Sequence, residues 1–269
     1  MENPKIHCKR CCSETSEIKQ FFMHTHEGYE LYCFLQGDVK FFIEGTVYAL
    51  SPGDLLILKK REAHTPLICG NIPYQRIVIN FNEEALLVEC RAKLIPFLSD
   101  RALGKENLYP AKLCKDARWS EYLEKICFSE DLTKKRLYLT LLLTELSETT
   151  VDEYDGRRDS VSEMIDYINS HLTDPISLND LCIKFYISKA QMNRNFKKIT
   201  GATVWNYILT KRLLLAKEKL QSGEAPTLVS SQCGFQNYSS FYRAYRAKFG
   251  KGPAADRGKE DSFANEKKQ

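Results

Sequence analysis

"CGFQNYSSFYRAYRAKFG", residues 233–250, decides how the C-terminal third of this 269-residue chain is read. It packs Phe235, Tyr238, Phe241, Tyr242, Tyr245 and Phe249 among Arg243, Arg246 and Lys248, with no acidic residue in the run. Phe241, Tyr245 and Phe249 recur at intervals of four and so share one helical face, a core stripe, while Tyr238, Ser239, Tyr242, Arg243 and Arg246 line the other side. Asn237 is placed to cap this helix and Gly250 to end it. Immediately before it, "APTLVSSQCGF" (225–235) is a shorter helix, with Gly234 supplying the turn. Two short helices across so small a turn make a helix-turn-helix unit, whose second helix would lie in a major groove.

The same layout occurs earlier in the chain. "SVSEMIDYINSHL" (160–172) opens on a capping box, Ser160 with Glu163, and "SLNDLCIKF" (177–185) repeats that device with Asp180. After a turn through Tyr186 and Ile187, Ser188 caps "KAQMNRNFKKIT". Met192, Phe196 and Ile199 form its buried face and leave Lys189, Asn193, Arg194, Lys197 and Lys198 elsewhere on the helix. Between the two pairs, "TVWNYILTKRLLLAKEKLQ" (203–221) is a long bridging helix.

Charge separates the chain in the same place. Residues 160–257 carry 14 Lys/Arg against 7 Asp/Glu, whereas residues 1–159 carry 22 against 25. A basic half joined to an acidic-leaning half points to a polyanionic partner for the former. The chain is long enough for two domains, and its 43% hydrophobic content suits an ordinary globular protein. No run approaches the roughly 18 apolar residues of a membrane span, and "MENPKIHCKRCC" lacks the apolar core of a signal peptide, so a cytoplasmic location is expected. The ten cysteines are then expected to be reduced thiols, and Cys8-x-x-Cys11 lacks the second pair a zinc ribbon needs.

Residues 160–257 resemble the DNA-binding domain of the AraC family of transcription regulators. The resemblance is carried by Ser188, Met192, Arg194, Phe196, Lys197 and Gly201, by Arg212 and Ala216, and by Gly234, Phe235, Asn237, Ser240, Phe241, Arg243, Phe249, Gly250, Pro253 and Arg257. It implies base-reading positions at Ala190, Asn193 and Arg194 in one helix and at Tyr238, Ser239, Tyr242 and Arg243 in the other. Arg can clamp guanine, Asn can pair with adenine, and Ala can touch only a thymine methyl. Ser188, Lys189, Lys197, Lys198, Asn237 and Arg246 are expected at phosphates. The family further implies RNA polymerase as a partner, and a homodimer is expected. Two departures stand out: Ser230 replaces a small apolar residue, and Asp256 an aromatic one. They predict a less stable or differently docked second unit.

Upstream, "ELYCFLQ" (30–36), "VKFFIE" (39–44), "DLLILK" (54–59) and "YQRIVINF" (74–81) are strands separated by turn signals, predicting an antiparallel barrel or sandwich. Helical periodicity follows over 83–98, 118–130 and 131–149. In the last of these, Leu132, Leu139 and Leu146 are spaced as in a dimer seam, but without sustained heptads they are expected to pack on their own domain. The expected organisation is α+β and multidomain: a cupin-like effector-binding and dimerisation barrel with C-terminal helices over 1–148, a linker over 149–159, an all-α double helix-turn-helix domain over 160–257, and a disordered polar tail over 258–269.

"HTHEGYELYCFLQG" (24–37), with "SPGD" (51–54) and His64 beyond, resembles the cupin barrel found at the N-terminus of many such regulators. His24 and His26 are expected on one face of a strand. In metal-binding cupins the positions matching His24, His26, Glu30 and His64 hold Fe, Mn or Zn, a donor set that suits those ions. The principal expectation is a pocket for a small polar effector, in this family often a sugar, using His24, His26, Glu30, Tyr32 and His64 as hydrogen-bonding groups. Tyr29 is a further such group, and Phe22, Phe34, Phe42 and Tyr48 are walls or plain barrel core. The alternatives are a metal sensor or retained metalloenzyme, and a barrel that serves only for dimerisation. No nucleophile elbow, P-loop or dinucleotide fingerprint is present, and no enzymatic activity is expected.

Overall fold

The computed structural model describes residues 3–13, 23–114, 118–151 and 160–258. Phe22, most of the expected linker and nearly all of the polar tail lie outside the described residues. The chain forms two compact units, one holding every element through the helix Leu132–Glu148 and the other the helices from Ser160–Ser170 onward.

In the first unit, strands β1 (Ile6–Ser13), β2 (Tyr29–Gln36), β3 (Val39–Ile43), β4 (Thr46–Ala49), β5 (Leu55–Leu58), β6 (His64–Ile68), β7 (Tyr74–Phe81) and β8 (Leu108–Tyr109) make two antiparallel sheets. Their orders are β1-β7-β2-β5-β8 and β4-β3-β6. Strand β2 is central and buried on both faces, which is why "YELYCFLQ" does not alternate with polar residues. Tyr32 and Phe34 point inward with Val39, Phe41, Ile43, Tyr48, Leu56, Leu58 and Tyr74, one cluster drawn from both sheets. Tyr29, Leu31 and Cys33 point the other way, under helices α1 (Val88–Ser99), α2 (Arg118–Phe128) and α3 (Leu132–Glu148). Phe34, Phe42 and Tyr48 are fully buried, and the Tyr32 hydroxyl is paired with that of Tyr74 at 2.6 Å.

Helix α2 is amphipathic and buries Trp119, Tyr122, Leu123 and Ile126. Asp131 caps α3 by accepting from the Thr133 and Lys134 amides at 2.8 and 3.4 Å. Leu139, Leu142, Leu143 and Leu146 lie in the core of their own unit while Leu132 is exposed, so the leucine stripe is internal packing. The cysteines depart from expectation: Cys8 of β1 and Cys127 of α2 form a disulfide, with Cα atoms 5.3 Å apart. Residue separation in sequence hides this pair, because only the packing of α2 on the sheet brings the two Cβ atoms together.

The second unit comprises α4 (Ser160–Ser170), α5 (Leu178–Lys184), α6 (Lys189–Thr200), α7 (Val204–Gln221), α8 (Pro226–Gln232) and α9 (Tyr238–Phe249). Phe196 of α6 meets Tyr207 of α7 edge to face, and α7 carries Leu213, Ala216 and Leu220 to the cluster that also buries Val229, Phe241 and Tyr245. Arg212 of α7 joins three segments. Its guanidinium donates to the carbonyls of Leu172, Asp174 and Gly234 at 2.8, 2.6 and 2.8 Å. Gly234 adopts φ +77°, and a Cβ there would lie 2.9 Å from the Arg212 Cζ and the Thr173 carbonyl. The α8–α9 turn therefore requires glycine for both conformation and space.

Both departures from the family pattern are accommodated in the second unit. The Ser230 hydroxyl, buried, donates to the Thr227 carbonyl at 2.9 Å. Asp256, fully buried, accepts from the Tyr245 hydroxyl at 2.8 Å and pairs with Lys251 at 2.6 Å. Ser230 and Asp256 Oδ2 thus gain hydrogen bonds where an apolar contact was expected, while Asp256 Oδ1 is met by the Lys251 charge alone. Replacing Arg212 with Ala strands three carbonyls and is expected to cost about 3 kcal/mol. Denaturant unfolding of the full chain, followed in the helical signal, measures it.

Candidate functional site

Two regions collect the polar side chains singled out in the sequence, one in each unit. In the helical unit, the Ser177 hydroxyl caps α5, accepting from the Asp180 amide at 3.1 Å and donating to its carboxylate at 2.6 Å. The chain then turns through Tyr186, which takes φ +50° and is almost fully solvent-exposed. The Ser188 hydroxyl accepts from the Gln191 amide at 3.3 Å, starting α6. Burial of Met192 and Phe196 orients that helix and leaves Lys189, Ala190, Arg194, Lys197 and Lys198 exposed.

Asn193 is placed differently from the other expected base readers. Half-buried, it donates from Nδ2 to the Lys189 carbonyl at 3.1 Å and accepts at Oδ1 from the Val204 amide at 3.3 Å. Its amide oxygen thus satisfies one of the open N–H groups at the start of α7, while one N–H and one lone pair of the amide are not used in these two bonds. On α9, Asn237 Oδ1 accepts from the Ser240 amide at 2.8 Å, and Gly250 closes the helix at φ +73°. Phe241 and Tyr245 are buried, whereas Ser239, Arg243 and Arg246 are exposed. Tyr238 and Tyr242 expose about two-fifths of their surface, at 38% and 39%, with ring centroids 6.3 Å apart. Among the described residues, no ion pair engages Arg194, Lys197, Lys198, Arg243 or Arg246. Exposed cations without carboxylate partners present their full charge to a polyanion.

In the sheet unit, His24, His26, Glu30 and His64 come together. His24 and His26 do not lie on a strand face as expected. They sit in the segment ahead of β2, held by a bridge in which His24 and His64 exchange backbone hydrogen bonds of 3.1 and 3.0 Å and by the Arg61 amide, which donates to the His26 carbonyl at 2.8 Å. The three imidazole centroids are 4.5 to 5.0 Å apart, and one nitrogen from each ring lies within 4.8 Å of the others. Glu30, on β2, meets His26 Nε2 at 2.7 Å and His64 Nε2 at 3.9 Å. Burial alone would raise the Glu30 carboxyl, but the charge and hydrogen bond of His26 hold it down at about 2. Burial, with the neighbouring His24 second, depresses His64 to about 3. Tyr32 faces the same interior with its hydroxyl committed to Tyr74.

Glu62 orients this cluster without being part of it. Fully buried, its carboxylate accepts from Arg101 at 3.0 and 2.8 Å, from the Gly104 amide at 2.8 Å, from Asn107 Nδ2 at 2.9 Å and from the Lys59 amide at 3.0 Å. Its carbonyl in turn lies 2.7 Å from His64 Nδ1. A carbonyl only accepts, so Nδ1 carries the proton and Nε2 keeps its lone pair toward Glu30. Neither Glu62 nor Arg101 emerged from the sequence, since 38 intervening residues separate two charges that look like surface ones.

Residues 7–106 match the family model described as the AraC-like ligand binding domain, and residues 181–259 match the helix-turn-helix domain model. The chain is 27% identical over 238 residues to the probable transcriptional regulator LumQ of Photobacterium leiognathi, covering 86% of this chain and 89% of LumQ. It is 28% identical over 95 residues to the regulatory protein SoxS of Escherichia coli, 35% of this chain and 89% of SoxS. The solved DNA-binding domain of AdpA in complex with a target DNA is 26% identical with a TM-score of 0.35, covering 36% of this chain and 88% of that one.

Replacing Arg101 with Ala leaves the Glu62 carboxylate buried with its cation gone. The expected loss is about 3–5 kcal/mol, read from the unfolding midpoint. In the helical unit, Asn193→Ala is expected to cost about 1 kcal/mol, whereas Arg194→Ala stays within about 0.5 kcal/mol of the parent.

Proposed function

Because this chain belongs to the AraC family of transcription regulators, joining an AraC-like ligand-binding domain to a DNA-binding helix-turn-helix domain, we propose that α6 and α9 read its operator and that the imidazole–carboxylate cluster is its sensing site. The observation that carries the DNA reading is the pair of capped helices, each with a buried aromatic face and exposed, unpaired arginines. Arg194 and Ala190 of α6, with Tyr238, Ser239, Tyr242 and Arg243 of α9, face base edges. Asn193 holds α6 on α7 and acts through position. Ser188 and Asn237 use their side-chain oxygens as caps and keep hydrogen-bond donors for phosphate, joined by Lys189, Lys197, Lys198 and Arg246. The operator complex then contacts RNA polymerase.

Within the sheet unit, one observation favours an ion over a sugar as the directly bound group. His64 Nε2 is buried without a hydrogen-bond partner, and its lone pair is turned toward a carboxylate oxygen 3.9 Å away. Two acceptors facing each other in a buried site repel unless a cation lies between them. His24, His26, Glu30 and His64 would hold Fe, Mn or Zn, with the Glu62 carbonyl fixing the His64 tautomer as an outer-shell partner. Such an ion supplies a Lewis-acid position for an oxygen of a small polar effector. The neighbouring interior is filled by Phe34, Phe41, Tyr48 and Leu56.

In operator titrations, Arg194→Ala and Arg243→Ala should each lose roughly 1–3 kcal/mol of discrimination at one base position. Lys197→Ala should instead weaken all sequences alike and reduce the salt slope by about 1. Elemental analysis of purified protein should find near one equivalent of metal, lost together with thermal stability on chelation and absent in His26→Ala. A metal-free protein indifferent to chelator would overturn the ion reading and return the cluster to direct binding of a small polar molecule.

A further inference from the structure

The Cys8–Cys127 disulfide lines a cavity of about 240 Å³ between the outer face of the five-stranded sheet and α2. Cys33, Leu35 and Ile77 form its floor and Trp119 and Leu123 part of its roof, so it is distinct from the imidazole cluster on the opposite face. We infer that Cys8 and Cys127 form a reversible redox site, exchanging with low-molecular-weight thiols and disulfides that enter this cavity, and that its state sets how firmly α2 is fastened to β1.

Three observations point to exchange rather than a static crosslink. A transcription regulator works where its DNA is, and disulfides in such reducing compartments are usually transient and redox-sensing. Both cysteines are only partly buried and the cavity reaches them, which gives a small thiol access. The helix does not depend on the bond for its place, because Trp119, Tyr122, Leu123 and Ile126 bury it independently. The third cysteine of the cavity, Cys33, does not compete: burial pushes its thiol up to about 12, which keeps it protonated and unreactive.

The chemistry closes with a thiol as the reductant. Arg10 lines the same cavity two residues along β1 from Cys8. A thiolate RS⁻ attacks Cys127 Sγ, forming a mixed disulfide and expelling Cys8 as the thiolate. A second RS⁻ then attacks the R sulfur, releasing RSSR and Cys127 thiolate, and both protein thiolates take up protons. Two RSH are oxidised and one protein disulfide is reduced. A small disulfide drives the reverse direction.

The full-length protein would be equilibrated natively in glutathione buffers from fully reduced to fully oxidised, alkylated and mapped by mass spectrometry, with unfolding followed in parallel. The expected result is a Cys8–Cys127 bond formed and broken reversibly, with the oxidised protein melting about 10 °C higher, a shift scaled from the 119-residue separation. Cys8→Ser should lose that gain and Cys11→Ser should keep it. The wild-type comparison stands even if Cys8→Ser folds poorly. Alkylation of both cysteines in the most oxidising buffer would overturn the inference, as would a bond that survives excess thiol in the folded protein.

Discussion

The barrel site depends on one buried carboxylate. Glu62 sits in the turn between β5 and β6, where burial of a charge is tolerable only because a guanidinium, a side-chain amide and two backbone amides surround it. That network fastens the 101–107 loop beneath the turn and fixes the direction in which the chain enters β6. His64 is the first residue of β6, and its ring is oriented by the carbonyl of Glu62 itself. The position of an imidazole in the cluster is therefore set by an ion pair that touches none of the other cluster residues.

The helical unit uses the same device with the sign reversed. Arg212 is a buried cation whose compensation is three backbone carbonyls from the α4–α5 connection and the α8–α9 turn. Carbonyls at those turns have no helical partner, so the guanidinium satisfies acceptors that would otherwise be stranded as the chain reverses. It pins both turns to the bridging helix and makes the exposed faces of α6 and α9 parts of one scaffold. The arginines and lysines on those faces, uncompensated by local carboxylates, are then free to serve an external polyanion.

The helix-turn-helix units were legible because their signals are local. Capping oxygens, a three-to-four apolar period and glycines at φ near +75° act within a few residues of one another, and the helices begin where Ser177, Ser188 and Asn237 stand. Partnerships between distant residues were not legible. Nothing in sequence shows that Asn193, an expected base reader, also accepts from the Val204 amide eleven residues on. Asp256, a departure from the family pattern, is met in the fold by Tyr245 and Lys251. The cysteines were expected as thiols, yet Cys8 meets Cys127 across 119 residues.

The sequence by itself determined the two-part organisation of charge, the paired helix-turn-helix pattern, the antiparallel strand runs and the three histidines and one glutamate that meet in the sheet unit. Each is a property of periodicity or residue chemistry, which short segments carry intact. Only tertiary structure decided that His24 and His26 meet His64 through a lone bridge, that Glu62 and Arg101 brace them, and that Asn193 accepts from the first amide of α7. Those outcomes rest on which buried polar groups find partners, a condition satisfied by whichever residues folding brings within about 3 Å and invisible until it does.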